Sequence, residues 1–211
     1  MEKFVINIGR QLGSGGKKIA ERLAQELGIN CYDKRLLDLA AQESGFAKEL
    51  FEHNDENKGL LDNLMHMRFL FGTTSGESFC SNVLSEESLF QFQSEAIRKC
   101  AEKESCIFVG RCADYILRDY PHCINIFIAA DESERIEHVS QRKGISLEEA
   151  EKLLKKAENT RRNYYNYYTG KTWGASESYD LCINISKLGF EASFKLILDF
   201  VKGYLVRIGN K

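Results

Sequence analysis

The 211-residue sequence contains a single proline, and it has no apolar run that approaches the roughly 20 residues needed to span a bilayer. Its first ten residues, MEKFVINIGR, become polar too early for a signal peptide. We therefore expect a cytoplasmic protein with no membrane partner. Because only Pro121 restricts the backbone, long helices can run unbroken wherever the apolar pattern favours them.

The sequence also lacks an excess of either charge, with 29 Lys and Arg residues against 31 Asp and Glu residues. A protein that holds duplex nucleic acid mainly by neutralising phosphates needs a basic surface, so we expect no nucleic acid polymer as a partner. Local basic clusters remain available for small anions. The composition is 43% hydrophobic and 28% charged, which predicts a folded protein, and the length favours one domain over residues 1–211.

The cysteines and histidines lack the spacing of a metal site. The seven cysteines form an odd number and include no CxxC pair, and the four histidines are scattered. Several cysteines lie in apolar stretches, which predicts buried, reduced thiols in a reducing compartment. No metal ligands can be assigned from these residues.

Apolar runs alternate with helical patterns along the chain. The runs at residues 3–8, 105–110, 123–129 and 179–185 are apolar throughout, as expected for strands of a parallel sheet covered on both faces. Ser146 and Glu149 have the spacing of a capping box. The order predicts an α/β fold with right-handed crossovers. The predicted helices are 17–27, 33–43, 86–102, 132–143, 146–167 and 191–206.

Residues 45–85 follow a different pattern, in which the amphipathic stretch LLDNLMHMRFLF lies between two polar, loop-like segments. Long loops in compact domains often act as lids or binding elements. A solvated insertion with no role in chemistry is the alternative. The amphipathic stretch either packs on its own domain or supplies an interface, so the oligomeric state stays open.

A glycine-rich loop between the first strand and the first helix is the strongest local signal. Backbone amides in such a loop can converge on an anion, and the helix N-terminus adds its dipole, so phosphate is the expected ligand. The match to GxxxxGK[ST] is imperfect, because Gln11 and Lys18 occupy the positions of the leading glycine and of the Mg²⁺-holding hydroxyl. A glycine turn with solvated lysines is the alternative. The candidate residues are Gly13, Ser14, Gly15, Gly16, Lys17 and Lys18.

Further basic residues follow the other strands. Arg111 opens the predicted helical stretch RCADYILRDY directly after a strand, so we expect it at the same sheet edge as the glycine loop. Arg161 and Arg162 precede four tyrosines and Trp173, a pattern that can close over a nucleotide. Surface roles and pairing with acids are the alternatives. Asp33 and Arg35 lie where an acceptor would be held, although Asp33 also suits a helix N-cap.

These segments together resemble the cytidylate kinase-like family of P-loop proteins. The resemblance rests on INIGRQLGSGGKKIAERLAQELGINCYDKRLLDLAA, FVGRCADYIL, RRNYYNYYTGKTW and YDLCINIS, and it extends over nearly the whole chain. It implies a three-layer P-loop NTPase fold of the nucleoside monophosphate kinase type, with a five-stranded parallel sheet. Residues 45–85 would form an acceptor-side insertion, and residues 155–176 a lid-like segment.

The resemblance also implies roles for individual residues. ATP with Mg²⁺ would phosphorylate CMP, dCMP or a related monophosphate, and Asp33 with Arg35 would begin the acceptor site. Arg111 matches the arginine of a Gly-Arg-Asp motif that holds the acceptor phosphate, and Arg162 matches a lid arginine. This chain departs from the family pattern at three positions: Lys18 replaces a threonine, Cys112 replaces the aspartate of that motif, and Asn159 replaces a lid aspartate that contacts ribose. Base specificity is therefore left open.

The leading hypothesis is ATP-dependent phosphoryl transfer to a small acceptor, foremost a nucleoside monophosphate. Lys17 would follow the phosphoryl group, Arg111 would fix the acceptor phosphate, and Arg161 and Arg162 would arrive as the lid closes. One alternative is a non-catalytic nucleotide-binding or regulatory protein with a degenerate phosphate loop. Another is a domain that binds phosphate esters in the service of a second protein.

Overall fold

The computed structural model of the protein describes residues 2–33 and 86–209. The chain divides into two compact units, one formed by Met1–Lys34 and Cys100–Lys211 and the other by Arg35–Lys99. All strands of the described sheet belong to the first unit. The glycine loop between β1 and α1 also belongs to the first unit.

The sheet has five parallel strands, which confirms the predicted α/β class and the sheet implied by the family resemblance. The spatial order is β2-β3-β1-β4-β5. Four of the strands match the four apolar runs of the sequence. β2 is only three residues long and partly exposed, so its sequence carries no clear strand pattern. The bounds are β1 Val5–Arg10, β2 Asn30–Tyr32, β3 Cys106–Val109, β4 Cys123–Ala129 and β5 Leu181–Asn184.

Helices lie on both sides of the sheet, and in the described residues they agree with five of the six predicted segments. The exception is the segment 33–43, of which only Asp33 lies within the described residues, and Asp33 is not helical. Where the structure is described, no helix combines the length and apolarity needed to cross a membrane. The helices are α1 Gly16–Leu27, α2 Glu86–Lys103, α3 Ala113–Ile116, α4 Glu132–Lys143, α5 Leu147–Thr169 and α6 Gly189–Gly209.

The second unit is described only from residue 86 to residue 99, which form most of helix α2. Phe92, Gln93 and Ile97 are buried on this helix. The Ser94 hydroxyl donates to the Phe90 carbonyl one turn earlier, at 2.7 Å. A serine that bonds back in this way has its hydroxyl satisfied within the helix.

One face of the sheet packs on α1 and α6 to form the main core. Alternate residues of the central strands point to this face, because successive side chains of a strand face opposite sides. In α1 the apolar residues recur three and four apart, so that they form one buried stripe. The largest fully buried side chains of this core are Ile6, Ile8, Ile19, Leu23, Ile107, Ile124, Ile126, Ile128 and Ile197.

The opposite face of the sheet carries a polar pair at its centre. Asn7 and Asn125 are register partners on β1 and β4, and the Asn7 amide donates to Asn125 Oδ1 and to Cys123 Sγ, both at 2.9 Å. Burial raises the pKa of the Cys123 thiol to about 12, so the thiol stays protonated. All six described cysteines are free, as predicted, and two of them, Cys106 and Cys112, are buried.

The longest helix, α5, begins with the predicted capping box. The Ser146 hydroxyl accepts from the Glu149 amide at 3.2 Å, and Glu149 Oε2 accepts from the Ser146 amide at 3.0 Å. The helix ends at Thr169, where Gly170 takes the left-handed conformation that commonly closes helices. These two ends fix α5 as a rod of 23 residues.

Candidate functional site

The glycine loop joins β1 to α1 at the carboxyl edge of the sheet. Gly13 has φ +82°, and a Cβ atom there would lie 2.6 Å from the Arg135 carbonyl oxygen, so only glycine fits. Gly15 also has positive φ and precedes α1 without a side-chain cap. The first-turn amides of α1 have no acceptors within the helix, so they remain available to an anion.

The serine of the loop is turned inward. Ser14 is fully buried, and its hydroxyl donates to the Gln11 carbonyl at 2.9 Å. It therefore stabilises the turn internally. Ser14 thus shapes the backbone around the candidate phosphate site, while its hydroxyl is already occupied.

Contacts from α4 and from the end of β4 hold the loop in place. The Gln11 amide donates to the Ile128 carbonyl at 3.0 Å, and Gln11 Oε1 accepts from the Ala130 amide at 3.1 Å. His138 Nδ1 lies 3.0 Å from the Gly13 carbonyl oxygen. These contacts attach the loop to β4 and α4.

Helix α5 contributes a buried carboxylate to the loop. Glu158 Oε1 accepts from the Leu12 amide at 2.9 Å, and Arg135 Nη1 lies 3.4 Å from Glu158 Oε2. Both charged side chains are about nine-tenths buried. Burial of either charge alone would be costly, so the two residues depend on each other.

The structure brings Lys17 and Asp33 together. Lys17 Nζ donates to Asp33 Oδ2 at 2.7 Å and lies 3.7 Å from Glu21 Oε1. This hydrogen bond to the Asp33 carboxylate raises the pKa of Lys17, so the amine stays charged. Lys18 is exposed, and Arg35 lies outside the described residues.

Three arginines meet at the carboxyl ends of β1 and β3. Ile8 pairs with Val109 in the register of these strands, so Arg10 and Arg111 follow at the same edge. Arg161 reaches the same place from α5, where its Nη1 donates to the Arg10 carbonyl at 3.1 Å. Burial and then the charges of Arg161 and Arg111 lower the pKa of Arg10 to about 9.

Arg111 lies just outside the helix that follows β3, so the prediction that it opens a helical stretch is wrong. Arg111 and Cys112 have φ of 60° and 55°, which is left-handed backbone, and α3 starts only at Ala113. Gly110, Arg111 and Cys112 all have positive φ, and residues in that conformation cannot belong to a right-handed helix. The Arg111 guanidinium lies 5.4 Å from the ring centre of Tyr164 on α5.

Arg162 and Asn159 occupy the solvent side of α5. Arg162 is exposed, and its Nη1 donates to Asn159 Oδ1 at 3.2 Å. Arg161, its neighbour in sequence, is the one that contacts the β1 edge. Adjacent residues on a helix point about 100° apart, which explains why only one of the pair reaches the loop.

An acidic group near Arg111 also holds α5. Tyr165, buried on α5, donates to Asp114 Oδ2 at 2.7 Å, and Asp114 follows Arg111 by three residues. Burial raises the pKa of Asp114, although the bond from Tyr165 acts in the other direction. Cys112 stands where the family motif has an aspartate, and Asp114 supplies a carboxylate two positions later.

Sequence reasoning missed Arg10, Glu158 and Arg135. Arg10 could have been found by the rule that selected Arg111, because it is the charged residue at the end of a buried strand, directly before the glycine loop. Glu158 and Arg135 lie in charge-rich helices and carry no comparable signal. Among the residues that the structure describes, no group of three or more His, Cys, Asp or Glu side chains is placed to hold a metal ion.

Comparison with known proteins assigns the chain to a family. The model of the cytidylate kinase-like family matches residues 5–187. The chain belongs to the cytidylate kinase-like family. It is 26% identical over 198 residues to a cytidylate kinase of Pyrococcus horikoshii, which covers 93% of this chain and 87% of that protein. It is 26% identical to a cytidylate kinase of Pyrococcus abyssi over 92% of this chain and 91% of that protein.

Solved structures resemble the chain over nearly its whole length. An uncharacterized protein from Eubacterium ventriosum is 30% identical, with a TM-score of 0.71 over 95% of this chain and 99% of that one. A shikimate kinase from Bacteroides thetaiotaomicron is 12% identical, with a TM-score of 0.51 over 96% of this chain and 98% of that one, and it supports the fold alone. The chain therefore has the family of the cytidylate kinases and a fold that it shares with a shikimate kinase.

Proposed function

We propose that the protein transfers the γ-phosphoryl group of ATP to a nucleoside monophosphate such as CMP or dCMP. The observation that carries this proposal is the glycine loop before the uncapped N-terminus of α1, with arginines from β1, from the turn after β3 and from α5 at the same edge. A loop of this kind suits the phosphates of a donor nucleotide. The similarity to cytidylate kinases supports a nucleoside monophosphate as the acceptor.

The proposed chemistry depends on positioning and on charge. The phosphate of a nucleoside monophosphate is itself a nucleophile, so the site needs no general base. Phosphoryl transfer then requires the two phosphates in line and their negative charge neutralised. Arg111 would hold the acceptor phosphate, Lys17 would follow the transferring group, and Arg161 and Arg162 would act from α5.

Magnesium would accompany the nucleotide. Mg²⁺ retains several waters and binds mainly through the phosphates of its substrate, so it does not need a full set of protein ligands. In this chain Lys18 stands where a hydroxyl would contact the ion, and the Ser14 hydroxyl already donates to Gln11. The described residues supply no dedicated ligand set for the ion.

The Lys17–Asp33 ion pair favours a second candidate function. A lysine held at 2.7 Å by a carboxylate is less available to phosphates, and Lys18 carries no hydroxyl. A protein that binds a nucleotide and responds to it without catalysis would tolerate both features. The free thiols of the described cysteines suit either protein in a reducing cytoplasm.

A turnover assay on the intact chain separates the two candidates. ATP and Mg²⁺ are supplied with CMP, dCMP, UMP, AMP or GMP in turn, and ADP formation is followed by a coupled assay. Shikimate and gluconate serve as acceptors that carry no phosphate. The kinase proposal predicts turnover with at least one nucleoside monophosphate and none with the two hydroxyl acceptors. Binding of ATP without turnover of any monophosphate would instead support the non-catalytic protein.

A further inference from the structure

Arg10 is the charged residue that neither the family resemblance nor the proposed reaction uses. It lies at the last position of β1. A Cβ atom added to Gly16, the first residue of α1, would lie 2.6 Å from the Cβ atom of Arg10. A Cβ atom on Gly110 would collide with Arg10 Nη1. Two glycines therefore leave room for the arginine, one beside its stem and one beside its guanidinium.

The charge around Arg10 is not balanced within the described part of the chain. No carboxylate there forms a salt bridge with Arg10, Arg111 or Arg161, and the Arg10 guanidinium makes no hydrogen bond to any residue described. Burial disfavours its charged form, and Arg161 and Arg111 add repulsion. The charge of Asp33 offsets part of this repulsion at Arg10, and the charge of Glu158 acts in the same direction on Arg161. An anion bound next to these arginines would therefore stabilise their charged forms.

The backbone at the same place is strained. Arg111 and Cys112 are the two non-glycine residues with positive φ among those described. Left-handed backbone at such residues costs free energy and is concentrated at ligand clamps and active sites. The turn places the Arg111 guanidinium against the Tyr164 ring, at the same sheet edge as Arg10, so the strained backbone coincides with the arginine group.

We propose that Arg10, together with Arg111 and Arg161, forms a subsite for the dianionic phosphate of the acceptor. The assignment to the acceptor rests on the proposed function. Guanidinium groups bind phosphate oxygens through paired N–H donors, and three of them match a dianion better than a neutral hydroxyl group. The subsite therefore selects acceptors that carry a phosphate over acceptors that carry only hydroxyl groups.

The test measures the binding of inorganic phosphate to the intact chain by calorimetry, with and without saturating ADP. ADP is included because it would occupy the glycine loop and leave the arginine subsite to phosphate. Arg10→Gln and Arg10→Lys are compared with Arg118→Gln. Arg118 is an exposed arginine that packs on Tyr115, so it provides a matched control.

We expect Arg10→Gln to weaken phosphate binding by about tenfold or more, as for loss of a charge-assisted contact. Arg10→Lys keeps the charge and loses the paired N–H donors of the guanidinium, so it should weaken phosphate binding less. Arg118→Gln should bind phosphate as the unaltered protein does. ADP affinity should stay the same in all variants. In the absence of ligand, Arg10→Gln should melt no lower than the unaltered protein, because it removes a repelled charge.

Three results would overturn the inference. One is unchanged phosphate affinity in Arg10→Gln, or in Arg10→Lys if the glutamine variant does not fold. Another is equal loss of phosphate and ADP affinity, which would place Arg10 in the donor site. The third is no phosphate binding to the unaltered protein at millimolar concentration. Phosphate binding that depends on Arg10 but occurs without turnover of any monophosphate would refute the kinase proposal and leave an anion subsite.

Discussion

At the scale of single residues, the site depends on glycines that leave space for neighbouring groups as much as on its arginines. Gly13 avoids the Arg135 carbonyl, and Gly110 avoids the guanidinium of Arg10. Asp114 presents the opposite case, since a carboxylate occupies a half-buried position next to Tyr165. Its raised pKa shows that the folded protein disfavours the charged form.

Asp114→Asn should therefore stabilise the protein at neutral pH. The folded pKa of Asp114 lies above its ordinary value of 3.8, so stability from this group is present below 3.8 and is lost as the pH rises through the folded pKa. Asparagine keeps an oxygen to accept from Tyr165 and carries no charge at any pH. Urea unfolding should show a gain over the unaltered protein at neutral pH that disappears below 3.8.

The control for this prediction is Asp119→Asn, at an exposed aspartate five positions along the chain. It should change the free energy of unfolding little at either pH. A neutral-pH loss of stability in Asp114→Asn would contradict the account, because it would mean that the charge of Asp114 is used in the fold.

At the scale of elements, α5 is the segment that ties the site together. It supplies Glu158 to the glycine loop, Arg161 to the end of β1 and Tyr165 to Asp114. These residues lie three, four or seven apart, so they share one face of the helix. The family resemblance implied a lid-like segment at residues 155–176, and part of that segment is here attached to the loop it would cover.

Glu158→Gln should destabilise the protein by about 3–5 kcal/mol, because it leaves the buried Arg135 without a counter-charge. Glutamine retains an oxygen for the Leu12 amide, so the loss reports the charge pair. The double variant Arg135→Met with Glu158→Gln should recover most of the stability. Chemical denaturation of the single and double variants measures both effects.

Glu151→Gln is the matched control, since Glu151 pairs with Lys155 on the exposed side of the same helix. Exposed pairs of this kind contribute little to stability. If Glu158→Gln costs no more than this control, or if the double variant is no more stable than the single one, the charge pair does not hold α5 to the loop.

At the scale of the whole molecule, the sequence predicted the architecture well and the site only in part. Apolar runs and helical periods predicted four strands and most helices, because apolar residue types mark the buried positions of a chain. β2 was not predicted because a strand of three residues, one exposed and two half-buried, is too short to show a period. The glycine loop was visible because its chemistry is local in sequence.

The arginine cluster was harder to predict because it depends on register and helix rotation. Arg10 and Arg111 are neighbours only because β1 lies beside β3 in a particular register. Arg161 reaches them, and Arg162 is exposed, because of the rotation of α5 about its axis. Neither quantity can be read from a single sequence, and Glu158 with Arg135 illustrates the same limit.

The central claim is that this edge of the sheet transfers phosphate between nucleotides, and phosphorus NMR of ATP with CMP and Mg²⁺ tests it most directly. The account predicts that the signals of CDP and ADP grow together in equal amounts, and that Arg111→Gln slows their growth by about a hundredfold or more. Arg118→Gln should leave the rate unchanged. ADP that appears with free phosphate and without CDP, or an Arg111→Gln rate equal to that of the unaltered protein, would contradict it.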